Sequence, residues 1–600
     1  MDGIAVLDAG GQYCHLLARR VRQTHVLSHV LPVNVSASAL KGVSGIIISG
    51  GPRSVTEANA PKIDKSILSL GVPILGICYG HQLLASLFPG GIVKPSFSRE
   101  YGVASLRLVK AGLNSIFSNV DTPSLVWMSH GDSVERVPDG FQALASTDEC
   151  HVAAMSNEKE RIFGVQFHPE VSHTEQGQQI IQNFVRRVCR AQDSWNPSSL
   201  KTIESIKDDI RATVGSKKIL FFVSGGVDST VAYKLCADAI GEDRLHGVYV
   251  DTGFMRKNES DAVMAAYEAA GFKKIEKIDA GDKFLDAVRM CVDPEIKRKR
   301  IGAAFLDVET KVMERFSASE WLLGQGTIYP DTIESGGSAG AAHIKTHHNR
   351  VPELLERVQA GEVVEPLAQF YKDEIRDIGK ELGLPVSVVQ KQPFPGPGLA
   401  VRYLCSATNE QWKQISGLDD VAREFDLSAR ALPIRAVGVQ GDERTYSYVA
   451  VLEGVYKEAR VSDASRAITN RIAEVNRVAF WVAGNGQPCE FSVYKTEINI
   501  EGLNLLREAD AIVREEIENF DVERRIWQCP VVLLPFRRRD SSIGSIAIRP
   551  VESHDGMTAQ YSRLPIDVQN RIASRLLKLD GVDAVLYDVT NKPPATIEWE

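Results

Sequence analysis

Residues 74–88 read ILGICYGHQLLASLF. The first four are an apolar run, the last ten carry leucines at helical spacing, and Cys78 sits where one gives way to the other. The stretch predicts a strand, a sharp turn and a helix. Gly76 and Gly80 leave room for the tight backbone such an elbow needs. A helix N-terminus beside the sulfur favours thiolate over thiol, which would make Cys78 a competent nucleophile. A small residue simply packed at a strand end is the plain alternative. The same rhythm surrounds it. GIAVLD (3–8) and GIIIS (45–49) are further short apolar runs followed by glycine-containing turns. Apolar strands alternating with helical stretches predict an α/β fold with a mainly parallel sheet, running to about Arg190.

Two other segments bear on Cys78. RIFGVQFHPE (161–170) reads as a strand ending in His168-Pro169-Glu170. In an extended chain residues two apart share a side, so Glu170 can orient the His168 ring and His168 can take the Cys78 proton. Ser49-Gly50-Gly51-Pro52 follows a strand, and its backbone N–H groups, with the Tyr79 amide, suit a developing oxyanion. The three segments together resemble class I glutamine amidotransferases, whose motif is G-x-C-x-G-x-Q with a distant H-P-E. The resemblance implies that Cys78 attacks the glutamine side-chain amide and releases ammonia. It also points to Gln82, Tyr101-Gly102 and Ser129-His130-Gly131-Asp132 as glutamine-pocket segments.

AQDSWNPSSL (191–200) reads as a polar linker. Beyond it, KKILFFVSGGVDST (217–230) is again strand, glycine loop and helix. Successive N–H groups at a helix start form an anion nest. No Gly-Lys-Ser/Thr follows, so the loop is not of the Walker A type. Ser224-Gly225-Gly226-Val227-Asp228-Ser229 instead resembles the pyrophosphatase loop of ATP-dependent amide and amidine ligases, which split ATP to AMP and pyrophosphate. That resemblance implies Mg²⁺ at Asp228, and Lys345 of Ile344-Lys345-Thr346-His347 reaching phosphate from a lid. Asp251 ends the strand HGVYVD, where sheets of this kind place ligands; it lies near the adenosine or is a solvated turn residue.

From the cluster QPFPGPG (392–398) onward the pattern becomes α+β and repeats itself. Leu432-Pro433-Ile434-Arg435 is echoed by Leu534-Pro535-Phe536-Arg537, and Asn470-Arg471-Ile472-Ala473 by Asn570-Arg571-Ile572-Ala573. Each copy reads helix, strand, strand, helix, strand, so the repeat is a duplicated subdomain rather than a solenoid unit. Pro294-Glu295-Ile296-Lys297-Arg298-Lys299-Arg300 is a basic run that suits phosphate or a solvated helix face. The chain closes on KPPATIEWE (592–600), where two prolines present Lys592 and Glu598 at little ordering cost.

These segments, in this order, resemble the GMP synthetase family over nearly the whole chain. What the resemblance implies is an α/β amidotransferase domain (1–192), an α/β ATP-pyrophosphatase domain (197–396), and a doubled α+β C-terminal part (397–490 and 491–600). Xanthosine monophosphate (XMP) would be bound by Arg298, Asp442, Gln528, Lys592 and Glu598. The substrates would be XMP, ATP and glutamine, with Mg²⁺. The doubled last part looks like the longer eukaryotic form, and an internal pseudo-dimer implies a monomer. Another glutamine-dependent adenylating ligase, such as an NAD synthetase, is the alternative reading.

Composition narrows the remaining classes. At 600 residues the chain holds roughly four folding units. A net charge of −8 lacks the basic excess that a general nucleic-acid binder needs. No apolar run of about 18 residues offers a membrane span. The nine cysteines stand singly with no C-x-x-C pair, and MDGIAVLDAGGQY has no basic region before a long apolar stretch. A cytoplasmic protein is the expectation.

Overall fold

The computed structural model describes residues 1–109, 116–317, 319–334, 361–440, 443–520, 525–538, 543–553 and 558–600. The chain divides at Ser199/Leu200 into two compact units. In the first, a nine-stranded sheet is formed by β1 (Ile4–Asp8), β2 (Ser28–Pro32), β3 (Gly45–Ile48), β4 (Ile74–Ile77), β5 (Ile92–Leu108), β6 (Ser124–Arg136), β7 (Gln142–Ser146), β8 (Ala154–Asn157) and β9 (Ile162–Val165). Their order is β2-β1-β3-β4-β9-β8-β7-β5-β6. The first five run parallel. β3, β4 and β9 are buried along their whole length, which is why they read as unbroken apolar runs. Helix α1 (Tyr79–Leu87) follows β4 and buries Leu83 and Leu84 against Ile46, Ile48 and Ile74.

The second unit opens with a parallel sheet of β10 (Lys218–Phe222), β11 (Leu245–Asp251), β12 (Ile275–Asp279), β13 (Trp321–Gly324) and β14 (Val363–Val364), ordered β12-β11-β10-β13-β14. Helix α2 (Val227–Ile240) follows β10, and α3 (Pro294–Met313) carries the basic run. Asp293 caps α3 by accepting the Ile296 N–H at 2.8 Å, with Pro294 at the first turn.

A six-stranded sheet completes the unit. Its strands are β15 (Ser428–Gln440), β16 (Glu443–Glu453), β17 (Val475–Gly484), β18 (Val531–Leu534), β19 (Gly544–Ile548) and β20 (Val582–Asp588), ordered β15-β16-β17-β20-β19-β18. From either edge inward, an antiparallel pair is followed by a parallel pair, and β17 meets β20 antiparallel at the centre. Helices α4 (Leu418–Arg423) and α5 (Glu458–Arg471) accompany the first three strands; α6 (Ile500–Asn519) and α7 (Ile566–Leu576) accompany the other three. The sheet therefore has an approximate two-fold at its middle. Among the described residues, no helix is long and apolar enough to cross a membrane.

Candidate active site

Strand order assembles the first site. β3, β4 and β9 are parallel neighbours, so the segments leaving their carboxyl ends emerge side by side. Those segments are Ser49-Gly50-Gly51, Cys78 and Gln166-Phe167-His168. A Cβ added to Gly50 would lie 3.0 Å from His168 Cε1 and 3.6 Å from Cys78 Cβ, so the three strand ends are in contact.

Cys78 takes φ 50° and ψ −104° between β4 and α1. The left-handed backbone falls on the cysteine itself, whereas Gly76 and Gly80 take no positive φ. They are small because the chain passes over itself: a Cβ on Gly76 would meet Gly80 C at 2.4 Å, and one on Gly80 would meet Ile48 O at 2.4 Å. A strained turn holds the sulfur out from the elbow.

His168 and Glu170 are buried, and His168 Nδ1 donates to Glu170 Oε1 at 2.8 Å. The second oxygen, Glu170 Oε2, has no hydrogen-bond partner. Thr174 Oγ1 donates to the His168 carbonyl at 2.6 Å, and Tyr13 packs edge-on to the ring with centroids 5.1 Å apart. Burial alone would lower the imidazole, but the Glu170 carboxylate and the Cys78 sulfur together push it up to about 10. These neighbours favour the protonated ring.

The other amidotransferase positions fall around this centre. Tyr79 Oη donates to the Pro61 carbonyl, so only its backbone amide faces the elbow's work. Gln82 Nε2 donates to Asp132 O at 2.8 Å and to Gln166 Oε1 at 3.2 Å. Tyr101 and Gly102 pair with Ser129 and Met128 in the β5–β6 ladder, and Ser129 O accepts from Cys78 Sγ at 3.6 Å. His130 is buried with Nδ1 at 2.9 Å from Asp132 O and Nε2 at 3.3 Å from Glu100 Oε2. Both of its nitrogens are engaged in holding the hairpin. Gln166, fully buried, donates to Cys78 Sγ at 3.7 Å and was not anticipated; β9 ends at Val165, so a bend and a turn, not the expected strand to Glu170, bring Gln166, His168 and Glu170 together.

The anion loop follows β10. Gly225 takes φ 74°, and Gly226 is the N-cap of α2. Ser224 Oγ accepts from Gly226 N at 3.3 Å and lies 3.1 Å from Ser229 Oγ; Gly225 N donates to Tyr267 Oη at 2.9 Å. Asp228 Oδ2 pairs with Lys372 at 3.2 Å, while its buried Oδ1 has no partner. Lys391 reaches Gly225 O at 3.2 Å and Glu259 at 3.0 Å. Neither lysine belongs to a motif, so neither was legible. Among the described residues no group of three or more His, Cys, Asp or Glu gathers into a metal cage. One orphaned carboxylate oxygen fits a Mg²⁺ held mostly by phosphate and water. Asp251 is tied to Lys277 at 3.3 Å and to Gly253 N at 3.1 Å. Lys345 and Asp442 lie outside the described residues.

The chain's last residues are docked. Ala595 bridges Gly438 on the edge strand β15, Val437 N donates to Trp599 O at 2.9 Å, and Trp599 is fully buried. Arg402 holds Glu598 through two nitrogens at 2.8 and 3.1 Å, and Gln528 Nε2 donates to the same carboxylate at 2.8 Å. Lys297 pairs with Glu600 at 2.6 Å, and Arg298 donates to the Glu600 carbonyl. Burial would lower the Lys297 ammonium, yet Glu600 keeps it above the ordinary lysine range. Two further buried arginines, Arg477 and Arg549, share Asp588 at 2.6 and 2.8 Å and donate to the carbonyls of Thr596, Ile597 and Glu598. Arg298, Gln528 and Glu598 thus converge at the tail. Lys592 is paired through its backbone with Ala559.

The family model "Glutamine amidotransferase class-I" matches residues 5–188, "NAD synthase" residues 200–298, and "GMP synthase C terminal domain" residues 515–599. A protein of Leptospira interrogans named "Probable GMP synthase [glutamine-hydrolyzing]" is 41% identical over 100% of this chain and 99% of its own length. The "GMP synthase [glutamine-hydrolyzing]" of Streptomyces coelicolor is 38% identical over 100% of this chain and 98% of its own. A solved structure, a glutamine amidotransferase of Thermotoga maritima, is 17% identical over 31% of this chain and 98% of that one, with a TM-score of 0.26.

Proposed function

The chain belongs to the glutamine-hydrolysing GMP synthase family, and from that premise we propose that it aminates XMP to GMP with ATP and ammonia cut from glutamine. The observation that carries the reading is the convergence of Cys78, His168 and Glu170 at adjacent strand ends, in a chain whose relatives match it end to end. Cys78 attacks the glutamine carboxamide carbon, backbone N–H groups about Gly50, Gly51 and Tyr79 receive the oxyanion, and His168 gives its proton to the departing ammonia. Water then releases glutamate from the thioester.

In the second unit, Ser224–Ser229 cradles the ATP phosphates, with Lys372 and Lys391 as flanking cations. Mg²⁺ at Asp228 would neutralise phosphate charge. O2 of XMP attacks the α-phosphorus, pyrophosphate leaves, and ammonia displaces AMP from C2. Arg298, Gln528, Lys592 and Glu598, with Asp442 and Lys345, are the positions we assign to XMP and phosphate. An NAD synthetase is not favoured: that family model spans residues 200–298 alone, whereas the C-terminal match is to GMP synthase.

We assign the domains as 1–192, 197–396, 397–490 and 491–600. The two-fold of the six-stranded sheet supports reading the last two as copies. The eukaryotic ascription of the long form draws no support from these relatives, which are bacterial and of matching length. A sheet that completes its own two-fold leaves no need for a second copy of the chain, which should therefore be a monomer of 65.9 kDa by light scattering. A dimer built through this sheet would overturn that. Nine free, dispersed cysteines support a reducing cytosol. The function itself is tested with XMP, ATP, Mg²⁺ and glutamine. GMP, AMP and pyrophosphate should appear in equal amounts, and ADP with orthophosphate would refute the reading.

A further inference from the structure

Two side chains and a backbone carbonyl form a one-way hydrogen-bond relay beneath the nucleophile. Asp132 O can only accept, so the Gln82 amide nitrogen faces it at 2.8 Å. The same nitrogen donates to Gln166 Oε1 at 3.2 Å, which leaves Gln166 Nε2 directed at Cys78 Sγ, 3.7 Å away. Gln166 and Gln82 are both buried, so water does not compete for their amides. Neither amide can flip without setting nitrogen against nitrogen or oxygen against a carbonyl. On another side of the sulfur, Ser129 O lies 3.6 Å away as an acceptor. A carbonyl there favours the thiol, which can donate to it; an N–H favours the thiolate.

We infer that Gln166 is a positioning residue for glutamine hydrolysis: its amide donates to the Cys78 thiolate and ties the nucleophile to the pocket residue Gln82. The inference rests on the amidotransferase reading above. Without the Gln166 donor, the carbonyl of Ser129 is left to bias the sulfur toward the thiol, and the imidazolium of His168 loses its ally. The relay also assigns Gln82 a polarity. Both hydrogens of its amide are engaged by Asp132 O and Gln166 Oε1, so the atom it has left for the substrate is its oxygen. That oxygen suits an N–H donor of glutamine.

The experiment uses the full chain with Gln166→Met, which keeps length and loses the donor, and Gln166→Glu, which sets a charge against the sulfur. Iodoacetamide alkylation is followed across pH on the Cys78 peptide by mass spectrometry, because Cys489 is exposed and would mask a bulk signal. Glutamine hydrolysis is measured beside it, and ammonia-driven synthesis on the same samples reports an intact chain. Both variants should alkylate about tenfold more slowly at neutral pH, the lower end of what a hydrogen bond to a charged group is worth. The alkylation midpoint should move to higher pH, and kcat should fall with it while KM changes less. A wild-type midpoint and kcat in either intact variant, or a rise in KM alone, overturns the inference. If one substitution prevents folding, the other decides. Should wild-type alkylation of Cys78 leave glutamine hydrolysis untouched, the amidotransferase reading fails and this inference with it.

Discussion

The elbow at Cys78 and the loop at Ser224–Ser229 are made from the same parts: a buried parallel strand, a turn containing one left-handed residue, and a helix that begins at the turn. They differ in which residue takes the left-handed conformation. At the elbow it is Cys78, φ 50°, and the strain of a non-glycine residue there costs about 1–3 kcal/mol. At the loop it is Gly225, φ 74°, which takes that conformation freely. On the roles proposed above, the fold tolerates strain where a side chain is the reagent, and dispenses with the side chain where the backbone is the reagent.

The sharpest test of this contrast is deletion of the reagent. Cys78→Ala should abolish glutamine-dependent GMP formation while ammonia still supports it, since no neighbouring group can replace the sulfur. Loss of both activities in a folded chain would break the two-site account. Gly225→Ala removes no functional group, yet it should reduce synthesis from either nitrogen source. The new Cβ would sit 2.7 Å from Val263 Cγ2 at a positive φ, and the displaced loop should cost about a hundredfold in pyrophosphate release. Near-normal rates would mean that the loop's backbone is not the anion site.

A third expectation concerns pH. The His168 imidazolium is raised to about 10 from 6.5, so its pairing with Glu170 contributes stability that is fully present below pH 6.5 and lost as pH rises through about 10. Glu170→Gln should lower the melting temperature of the first unit most near pH 6, and the gap from wild type should close toward pH 10. A gap that is constant across this range would remove the charge pair. The smallest effect belongs to a side chain in the backbone-built site. Ser224→Ala loses neutral hydrogen bonds worth about 0.5–1.5 kcal/mol, or roughly two- to tenfold in KM for ATP. A loss as large as that of Gly225→Ala would erase the distinction.

Much of both sites was legible because each is local. Ile74–Phe88 and Lys217–Thr230 carry strand, turn and helix within fifteen residues or fewer, and short-range sterics dictate such patterns. The repeat was visible for the same reason, as matched short strings. Gln166 was overlooked because the expected strand runs to Glu170, whereas β9 ends at Val165 and the bend beyond it brings Gln166 to Cys78. That Gly76 and Gly80 leave room for a close turn is readable in the sequence, whereas the atoms that fill the room, Gly80 C and Ile48 O, are set by packing.

What the sequence determined by itself was the set of local devices: an apolar strand stops, glycines and a cysteine or serines turn, and a helix begins. What only the tertiary structure decided was which devices meet. β9 lies beside β4 although 84 residues separate Ile162 from Cys78 along the chain, and Arg402 finds Glu598 at a separation of 196 and Lys297 finds Glu600 at 303. Periodicity and turn chemistry act over a few residues, whereas sheet order and the pairing of buried charges are set by packing of the whole chain, where each buried ion must find its partner or lose several kcal/mol of hydration uncompensated.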